Sequence, residues 1–341
     1  MYIEFTYSLT EKQKQDWISF YKSFSHISVM QYIGWFELYQ PNKKVCYCIC
    51  RENDIVKAVC AILENKIIAD VYWGPVANTE FDSVNCIKAI HSYYKKKYFA
   101  LIRINLQDEV SEKTKAIELS LKETIPFEQK LGEHNWSSIK INLNQSFEEI
   151  EKSFSTNHKR SIKKAQKEEL FVAQLVSSDH LNQFAAIYVQ MHKERNIVLP
   201  IQDPNKTFNE LACFFKDNEN GMFLGVFDSS QSLLGAIALS FEGQKAFYLF
   251  GASDPSMRKL PILHLAFYEA LKIAKERKLS YFDFGGYNHD VDDTSQVYQI
   301  NRFKQGFGGE FVHYPLQLQL TGNRLVFGAY KILQQLCHSR K

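Results

Sequence analysis

The chain has 341 residues, 45% of them hydrophobic and 23% charged, and its formal net charge at pH 7 is +3. This balance is typical of a folded globular protein and excludes a disordered chain. The net charge is too small to indicate a nucleic-acid-binding protein by itself, and the length suits two domains better than one. The first residues lack the basic and apolar regions of a signal peptide, and no run of about 18 apolar residues predicts a transmembrane helix. We therefore expect a cytoplasmic protein.

The seven cysteines show no pairing in the Cys-x-x-Cys spacing that zinc sites favour. Cys46, Cys48 and Cys50 alternate along one apparent strand, so their side chains share a face. Cysteines in such a position pack as small hydrophobic residues. We predict no metal site and a reducing compartment.

The first half of the chain contains a hairpin, a strand, a helix and a strand, in that order, after a stretch of helix and turn over residues 1–40. The apolar periodicity and the turn residues predict these elements at 45–51 paired with 55–63, at 67–73 running into Gly74-Pro75, at 81–97 and at 98–106.

The second half repeats this order after a strand at 136–143. Capping boxes at Ser146–Glu149 and Thr207–Glu210 predict helix starts. The remaining predicted elements are helices at 157–167 and 179–195, a hairpin of 222–228 with 233–241, a strand at 245–253, a helix opened by Pro261 and a strand at 280–284 that stops at Gly285-Gly286. In the strand at 245–253, the alternating residues Ala246, Tyr248 and Phe250 are expected on one half-buried face.

Hairpin, strand, helix and strand is the element order of an N-acetyltransferase-like (GNAT) core, so we predict an α/β chain of two tandem GNAT-like domains with mixed sheets. The predicted first domain, at 1–135, is a degenerate domain on the acceptor side. The predicted second domain, at 136–320, is catalytic, and 321–341 form a C-terminal basic amphipathic helix. Substrates of this fold meet where the strand before the central helix splays from the strand after it, which places the site between Gly251 and Gly285.

Four basic residues share one face of the helix predicted at 157–167. Arg160, Lys163, Lys164 and Lys167 follow i, i+3, i+4, i+7 spacing, and no acidic residue lies within this segment. The face is either a solvated surface or a stripe that contacts the phosphates of RNA or of a diphosphate substrate.

Two further basic positions also have two interpretations. Arg195 ends the inward stripe of its helix, where it either caps the last carbonyl groups or points into a cleft. The tail at 322–341 either lies on an anionic membrane surface or packs against the domain. Its apolar residues are Leu325, Val326, Tyr330, Leu333 and Leu336, and its basic residues are Arg324, Lys331, Arg340 and Lys341.

Four stretches stand in a recognisable order over about residues 30–315. They are Trp-Gly-Pro-Val (73–76), Arg-Ser-Ile-Lys-Lys-Ala-Gln-Lys (160–167), Tyr-Leu-Phe-Gly-Ala-Ser (248–253) and Tyr-Phe-Asp-Phe-Gly-Gly (281–286), the last followed by Phe-Lys-Gln-Gly-Phe (303–307). Together they resemble the Fem family, the non-ribosomal peptidyltransferases that add amino acids to cell-wall precursors. The resemblance implies the tandem GNAT fold, here without a coiled-coil arm. It also implies transfer of an aminoacyl group from its tRNA ester to an amine.

The resemblance also implies roles for individual residues. Lys304 is similar to the family lysine near the reacting carbonyl group, and Tyr248 and Arg195 match positions that hold the acceptor. Gly285, Gly286 and Phe303 are placed with them among the substrate-binding residues. One departure concerns Gln31, Trp35 and position 39, where the family often has a lysine that contacts acceptor phosphate. Position 39 is a tyrosine here, so the resemblance does not establish the usual muramyl peptide as the acceptor.

Acyl transfer to an amine builds negative charge on the carbonyl oxygen, and a preplaced ammonium group stabilises it. Lys304 would supply that group, whereas its plain alternative is a surface lysine at a helix end. Asp283, at the end of a core strand, is a candidate to accept the proton of the attacking amine. The alternative for Asp283 is to cap the following loop. His264 and His289 are further candidates, each better explained as structural.

The donor is predicted from the start of the central helix. Enzymes of this fold that use coenzyme A hold its pyrophosphate on a glycine-rich loop of backbone amides. Here the corresponding residues are Arg258–Leu263, where Pro261 has no amide hydrogen and Leu263 replaces a small residue. We therefore predict aminoacyl-tRNA as donor and no bound cofactor.

The predicted partners are aminoacyl-tRNA, a cell-envelope precursor and the inner membrane surface, with no DNA. Two alternatives remain: a coenzyme A-dependent N-acyltransferase that modifies a sugar, lipid or amino-acid amine, and a non-catalytic RNA-binding or scaffold protein on a GNAT frame.

Overall fold

A computed structural model describes residues 1–25, 27–130, 137–289 and 291–338. The chain divides into two compact units, bounded at Met1–Asn135 with His313–Lys341 and at Trp136–Val312. In chain order, the elements of the first unit are β1 (Tyr2–Thr6), α1 (Glu11–Lys22), α2 (Trp35–Tyr39), β2 (Lys44–Glu52), β3 (Ile55–Asn65), β4 (Ile68–Val71), β5 (Val76–Ala77), α3 (Glu80–Lys96), β6 (Leu101–Ile104), α4 (Glu112–Lys122) and β7 (Phe127–Lys130).

The elements of the second unit follow, and two last elements return to the first unit. Those of the second unit are β8 (Ser137–Asn142), α5 (Phe147–Ser153), α6 (Thr156–Lys167), β9 (Phe171–Gln174), α7 (Ser178–Glu194), α8 (Pro204–Asn218), β10 (Gly221–Phe227), β11 (Leu233–Glu242), β12 (Lys245–Ser253), α9 (Ile262–Glu276), β13 (Tyr281–Asp283), α10 (Gln296–Gln305) and β14 (Glu310–His313). The last two are β15 (Gln317–Thr321) and α11 (Arg324–His338).

The first unit is built on a mixed sheet in the order β1-β2-β3-β4-β6-β15-β7, with β5 paired to β3. The predicted hairpin, strand, helix and strand are confirmed as β2 with β3, β4, α3 and β6. β4 and β6 pair in parallel, with α3 between them in sequence. β1 was not predicted, since residues 1–40 were expected as helix and turn. It is an edge strand that pairs antiparallel with β2, and this pairing with a distant segment decides its structure.

The second unit has a sheet in the order β14-β8-β13-β12-β11-β10-β9. Its hairpin β10–β11, strand β12, helix α9 and strand β13 confirm the predicted GNAT order. Apolar residues of α6 and α9 join one face of this sheet in a common core, which includes Ile162, Leu224, Phe267 and Phe282. Phe184 of α7 and Phe208 of α8 contact Phe223 of β10 and thus pack on the opposite face.

A β-bulge in β12 separates two side chains that were expected on one face. Phe250 pairs with Ala238 and Tyr248 with Leu239, so Leu249 is an extra residue in the strand. A bulge shifts the alternation of side chains by one position. Tyr248 therefore packs against Phe267 of α9, with ring centroids 4.8 Å apart, whereas Phe250 stacks on Phe208 of α8 at 5.1 Å. The expectation of one shared face was wrong because the bulge is invisible to simple alternation.

The C-terminal boundary of the second unit also differs from the predicted position at 320. β15 pairs antiparallel with β6 and β7, and its residues Leu318 and Leu320 are buried in the first unit's core. The segment from His313 onward therefore belongs to the first unit. The predicted boundary at residue 135 falls within residues 131–136, which lie outside the described part. Trp136, the first residue of the strand expected at 136–143, lies there too.

One of the two predicted helix starts is confirmed, and the helices are of ordinary length. The capping box at Ser146 is confirmed, but α8 begins earlier than the predicted box at Thr207: Asp203 caps it, and Pro204 occupies the first turn. The longest helices of the described residues, α3 and α7, have 17 residues each, so no coiled-coil arm is present there. None of the described helices combines the length and apolar character that crossing a membrane requires.

Candidate active site

The parallel strands β12 and β13 separate soon after they begin, which opens the expected gap in the second unit. They pair only from Lys245 opposite Tyr281 to Phe247 opposite Asp283. β12 then continues to Ser253, while the chain after β13 turns at Gly285-Gly286. Gly285 has φ of 62°, and a Cβ atom there would lie 3.1 Å from the Phe247 ring and from the Tyr248 carbonyl oxygen. The turn therefore requires glycine at this position.

Lys304 reaches this turn from the last part of α10. Phe303 on the same helix and Phe307 just after its end pack into the aromatic core beside Phe267, which leaves Lys304 directed at the gap. Its Nζ donates hydrogen bonds to the carbonyl oxygens of Gly285 (2.6 Å) and Gly286 (2.7 Å). The residue is only 7% exposed, so the alternative of a surface lysine is wrong.

The Lys304 ammonium group is electrostatically unusual. Burial lowers the pKa of Lys304 to about 8, and the nearby Asp283 carboxylate acts in the opposite direction. The group is therefore mainly protonated at neutral pH. An ammonium group has three N–H donors, and the two glycine carbonyls account for two of them. The Nζ also lies 5.8 Å from the centroid of the Tyr248 ring, so Lys304, Tyr248 and the Gly285-Gly286 turn form one cluster.

Asp283 lies beneath this cluster and is fully buried. Its Oδ1 accepts a hydrogen bond from the Gly285 amide at 2.8 Å and another from the Ser138 hydroxyl, and its Oδ2 lies 3.9 Å from the Lys245 Nζ. The carboxylate therefore fixes the turn and favours the charged form of Lys304. This geometry supports a positioning role for Asp283 and gives no support to its predicted role as proton acceptor.

Tyr248 and Arg195 lie near each other on the second unit. Burial raises the pKa of the Tyr248 hydroxyl well above its usual value, and the Arg195 guanidinium partly opposes this shift. Arg195 follows the last residue of α7 and is exposed. Together with Met191, Ser253 and Gln296 it lines a cavity of about 280 Å³. Of the two interpretations of Arg195, the structure supports the one that points into a cleft.

Phe303 packs in the interior under Lys304, with its ring 4.9 Å from the ring of His264. Its carbonyl oxygen accepts a hydrogen bond of 2.8 Å from the Nε2 of His158. The structure thus gives Phe303 a packing role next to the lysine. Its predicted contact with substrate has no support from this geometry.

His158 and His264 form a pair that anchors α10, and His158 was missed by the sequence analysis. His158 donates to the Phe303 carbonyl from Nε2, and its Nδ1 lies 3.0 Å from the Ser155 hydroxyl. Its ring is 4.6 Å from that of His264. Burial lowers the pKa of both histidines, that of His264 to about 4, so both are neutral at pH 7. The sequence signal that could have revealed this role is a serine three residues before His158, at a helix start.

The four basic residues of α6 are all exposed, while His158, Ile162 and Ala165 form the buried face of the same helix. Lys164 donates a hydrogen bond of 2.8 Å to the Lys259 carbonyl oxygen. Arg160, Lys163 and Lys167 have no acidic partner among the described residues. The structure thus confirms one shared face, and phosphate contact by this face stays a prediction.

The start of α9 differs from a pyrophosphate-binding loop. Pro261 precedes the first helical residue, and no side chain caps the helix. Arg258 bonds to the Glu194 carboxylate at 2.7 Å and to the Pro255 carbonyl at 3.1 Å. Arg258, one of the two cations of this loop, is therefore already paired within the protein.

In the first unit, Gln31 and Trp35 are both buried. The Gln31 side chain bonds to the backbone of Ala61 and Tyr72. Gln31 thus holds two backbone segments together. Tyr39, at the position where the family often has a lysine, is the last residue of α2, and its side chain lies outside the described part.

Three thiols of the first unit also lie close together. The sulfur atoms of Cys48, Cys50 and Cys86 are all within 4.8 Å of one another and fully buried. Cys86, on α3, was not part of the predicted set. The three thiols lie within the apolar core of the first unit, where cysteines pack as small hydrophobic residues.

Comparisons with known proteins point in one direction. The FemAB family model matches residues 225–335, which include Tyr248, Gly285 and Lys304. A Lipid II:glycine glycyltransferase of Staphylococcus epidermidis is 31% identical over 137 residues, or 40% of this chain and 30% of that protein. A protein of the same name from Staphylococcus aureus is 32% identical over 99 residues, or 29% of this chain and 21% of that protein. The matched segments thus span less than a third of these relatives.

The solved structures show the same fold. FemX superposes with a TM-score of 0.80 at 17% identity, covering 96% of this chain and 99% of FemX. A tandem GNAT protein from the clavulanic acid biosynthesis pathway superposes with a TM-score of 0.56 at 8% identity, covering 94% and 99%. At such identities the likeness concerns the fold, which is two tandem GNAT-like domains.

Proposed function

We propose that the chain is a member of the Fem family and acts as an aminoacyltransferase. It moves an aminoacyl group from aminoacyl-tRNA to an amine of a cell-envelope precursor. The observation that carries this proposal is the Lys304 ammonium group, buried at the open end of the β12–β13 gap and fixed by two glycine carbonyls.

The reaction needs a positive group where Lys304 lies. The nitrogen of the acceptor amine attacks the carbonyl carbon of the aminoacyl ester, and negative charge develops on the carbonyl oxygen. The remaining N–H of Lys304 donates to that oxygen. The C–O bond to the tRNA ribose then breaks, the proton given up by the attacking nitrogen passes to the ribose oxygen, which leaves as a hydroxyl group, and an amide bond is formed. One such preplaced donor contributes about 10²–10³ in rate.

The choice of donor rests on the start of α9 and on the exposed face of α6. Pro261 cannot donate to a pyrophosphate, and Arg258 is paired with Glu194. Both features disfavour coenzyme A. The exposed cations Arg160, Lys163 and Lys167 suit the phosphates of a tRNA, where they would position the nucleic acid without reading its sequence.

The acceptor is proposed from the relatives and from the cleft beside Tyr248. The staphylococcal relatives are named as enzymes that act on lipid II. Arg195 is an exposed cation at a cavity, with the Tyr248 hydroxyl within its electrostatic reach. These two groups would hold a polar or anionic part of the acceptor. An envelope precursor with a free amine meets this description.

The test offers the full chain charged tRNA or acetyl-CoA as donor, with lipid II and its soluble precursors as acceptors, and weighs the products. We expect a mass increase of one or more amino-acid residues on an acceptor, only with charged tRNA. Acyl transfer from acetyl-CoA would replace the proposal with the coenzyme A-dependent alternative. RNA binding without any product would support the non-catalytic alternative.

A further inference from the structure

The C-terminal helix α11 presents three different faces. Asn323 starts the helix, since its Oδ1 accepts from the amides of Leu325 and Val326 at 3.1 and 3.3 Å. The Asn323 amide bonds to the Phe99 carbonyl at 2.7 Å, which attaches the helix to the first unit. Val326, Phe327 and Tyr330 are half-buried and form the attached face.

A second face is apolar and exposed. Leu325 is 86% exposed, Ile332 60%, Leu333 61% and Leu336 54%. Their spacing of i, i+7, i+8 and i+11 places them in one stripe along the helix, and Ala329 lies within the same stripe. Isolated exposed leucines are common on proteins, but a continuous stripe on one helix indicates a surface that binds something.

The third face and the rest of the tail are basic. Arg324 and Lys331 lie on α11, and Lys331 approaches Glu128 only at 3.9 Å with half of its side chain exposed. No acidic residue occurs from Gly322 to Lys341. The sequence adds Arg340 and Lys341, which lie outside the described residues. An apolar stripe beside an acid-free basic face is the pattern of a helix that lies in the plane of a membrane surface.

We propose that α11 binds the surface of an anionic lipid bilayer, with Leu325, Ile332, Leu333 and Leu336 inserted among the lipids and Arg324 and Lys331 at the phosphate level. The charge pattern favours lipid over a second copy of the chain. Two copies of α11 packed through this stripe would bring the basic residues of both helices near one another, whereas anionic lipid neutralises them. The proposal rests on the residues of α11 and not on the proposed reaction.

Vesicle sedimentation of the full chain tests this. The vesicles consist of phosphatidylcholine alone or of phosphatidylcholine mixed with phosphatidylglycerol. We expect the chain to prefer the mixed vesicles by at least about tenfold, because each basic residue near an anionic surface contributes about fivefold. The preference should weaken as salt is raised.

The variant Ile332→Gln/Leu336→Gln removes half of the stripe from positions that are already exposed, so its thermal unfolding should match that of the parent. We expect it to bind mixed vesicles at least about tenfold more weakly, because each buried leucine or isoleucine contributes that much. The matched control is Leu119→Gln on α4, where the leucine is 63% exposed but stands outside the stripe. This control should bind like the parent.

Equal vesicle binding by the stripe variant and the parent would overturn the proposal, as would absence of binding to both vesicle types. A dimer in light scattering that the stripe variant abolishes would assign the stripe to a second copy instead. Vesicle binding is scored without donor or acceptor, so its outcome is separate from that of the transfer assay.

Discussion

At the scale of single residues, the unusual feature is a lysine buried where a protein would ordinarily avoid a charge. Lys304 gives up most of its hydration, and two carbonyl oxygens and the field of Asp283 compensate for it only in part, as its lowered pKa shows. Such perturbed groups cluster at functional sites. Burying this charge lowers the stability of the fold. A catalytic role explains why the charge is kept, because the ammonium group would stabilise the negative charge that develops on the reacting carbonyl oxygen.

The pKa of Lys304 predicts the alkaline limb of the activity profile. The protonated form stabilises the oxyanion, so kcat should fall as pH rises through about 8. Asp283→Asn removes the negative charge that favours protonation, so the limb should move to lower pH. Steady-state rates between neutral and alkaline pH measure both. A limb that stays in place in Asp283→Asn would show that another group controls it.

At the scale of elements, α10 carries Lys304 and the histidine pair anchors α10 to α6 and α9. His158 is the link, because its Nε2 donates to the Phe303 carbonyl one residue before the lysine. A carbonyl oxygen left without this donor in the interior would cost about 1–3 kcal/mol. The position of the ammonium group therefore depends on a contact outside the gap.

The same histidines predict an acid-sensitive stability. The pKa values of both histidines are lowered in the folded chain, that of His264 to about 4, so from the usual value near 6.5 downward the unfolded chain binds more protons. The free energy of unfolding should therefore fall as pH decreases through this window, by at most about 1.4 kcal/mol per pH unit for each histidine. Urea unfolding across this window measures the slope, and His264→Phe should reduce it. An unchanged slope in this variant would refute the histidine contribution.

For α6, we predict phosphate contacts by the exposed basic face. Lys163→Glu/Lys167→Glu should weaken tRNA binding and lower the slope of log affinity against log salt by about 0.7–0.9 for each lost contact. Lys164 is left intact because it bonds to the Lys259 carbonyl. The control Lys206→Glu/Lys216→Glu reverses two exposed charges on α8 and should leave the slope unchanged. Equal slopes in the parent and in both variants would identify the basic face of α6 as solvated surface.

At the scale of the whole molecule, the sequence predicted elements that depend on local patterns. β2 with β3, α3, β10 with β11, and α9 each carry their periodicity within one segment. The edge strand β1 and the strand β15 could not be predicted in the same way. Their pairing partners lie far away in sequence, and short strands have little signal of their own.

In the candidate site too, features that carry a local sequence motif were predicted, whereas features that depend on distant residues were not. The motif around Lys304 and the glycine turn predicted two segments that the structure brings together at 2.6 Å. The bulge at Leu249, which turns Tyr248 toward α9, and the bonds of Asp283 depend on neighbouring strands. His158 was missed because its partner is a backbone carbonyl, which leaves no mark in the sequence.

The catalytic assignment of Lys304 is tested most directly by Lys304→Met, with Lys216→Met on α8 as the matched surface control. The measurement is kcat and KM for aminoacyl transfer from charged tRNA to the acceptor found by product mass, with thermal unfolding to confirm that each variant folds. We predict that Lys304→Met lowers kcat by about 10²–10³ with little change in KM, because the lost interaction strengthens only in the transition state. A folded Lys304→Met variant that turns over at the rate of Lys216→Met would contradict this assignment.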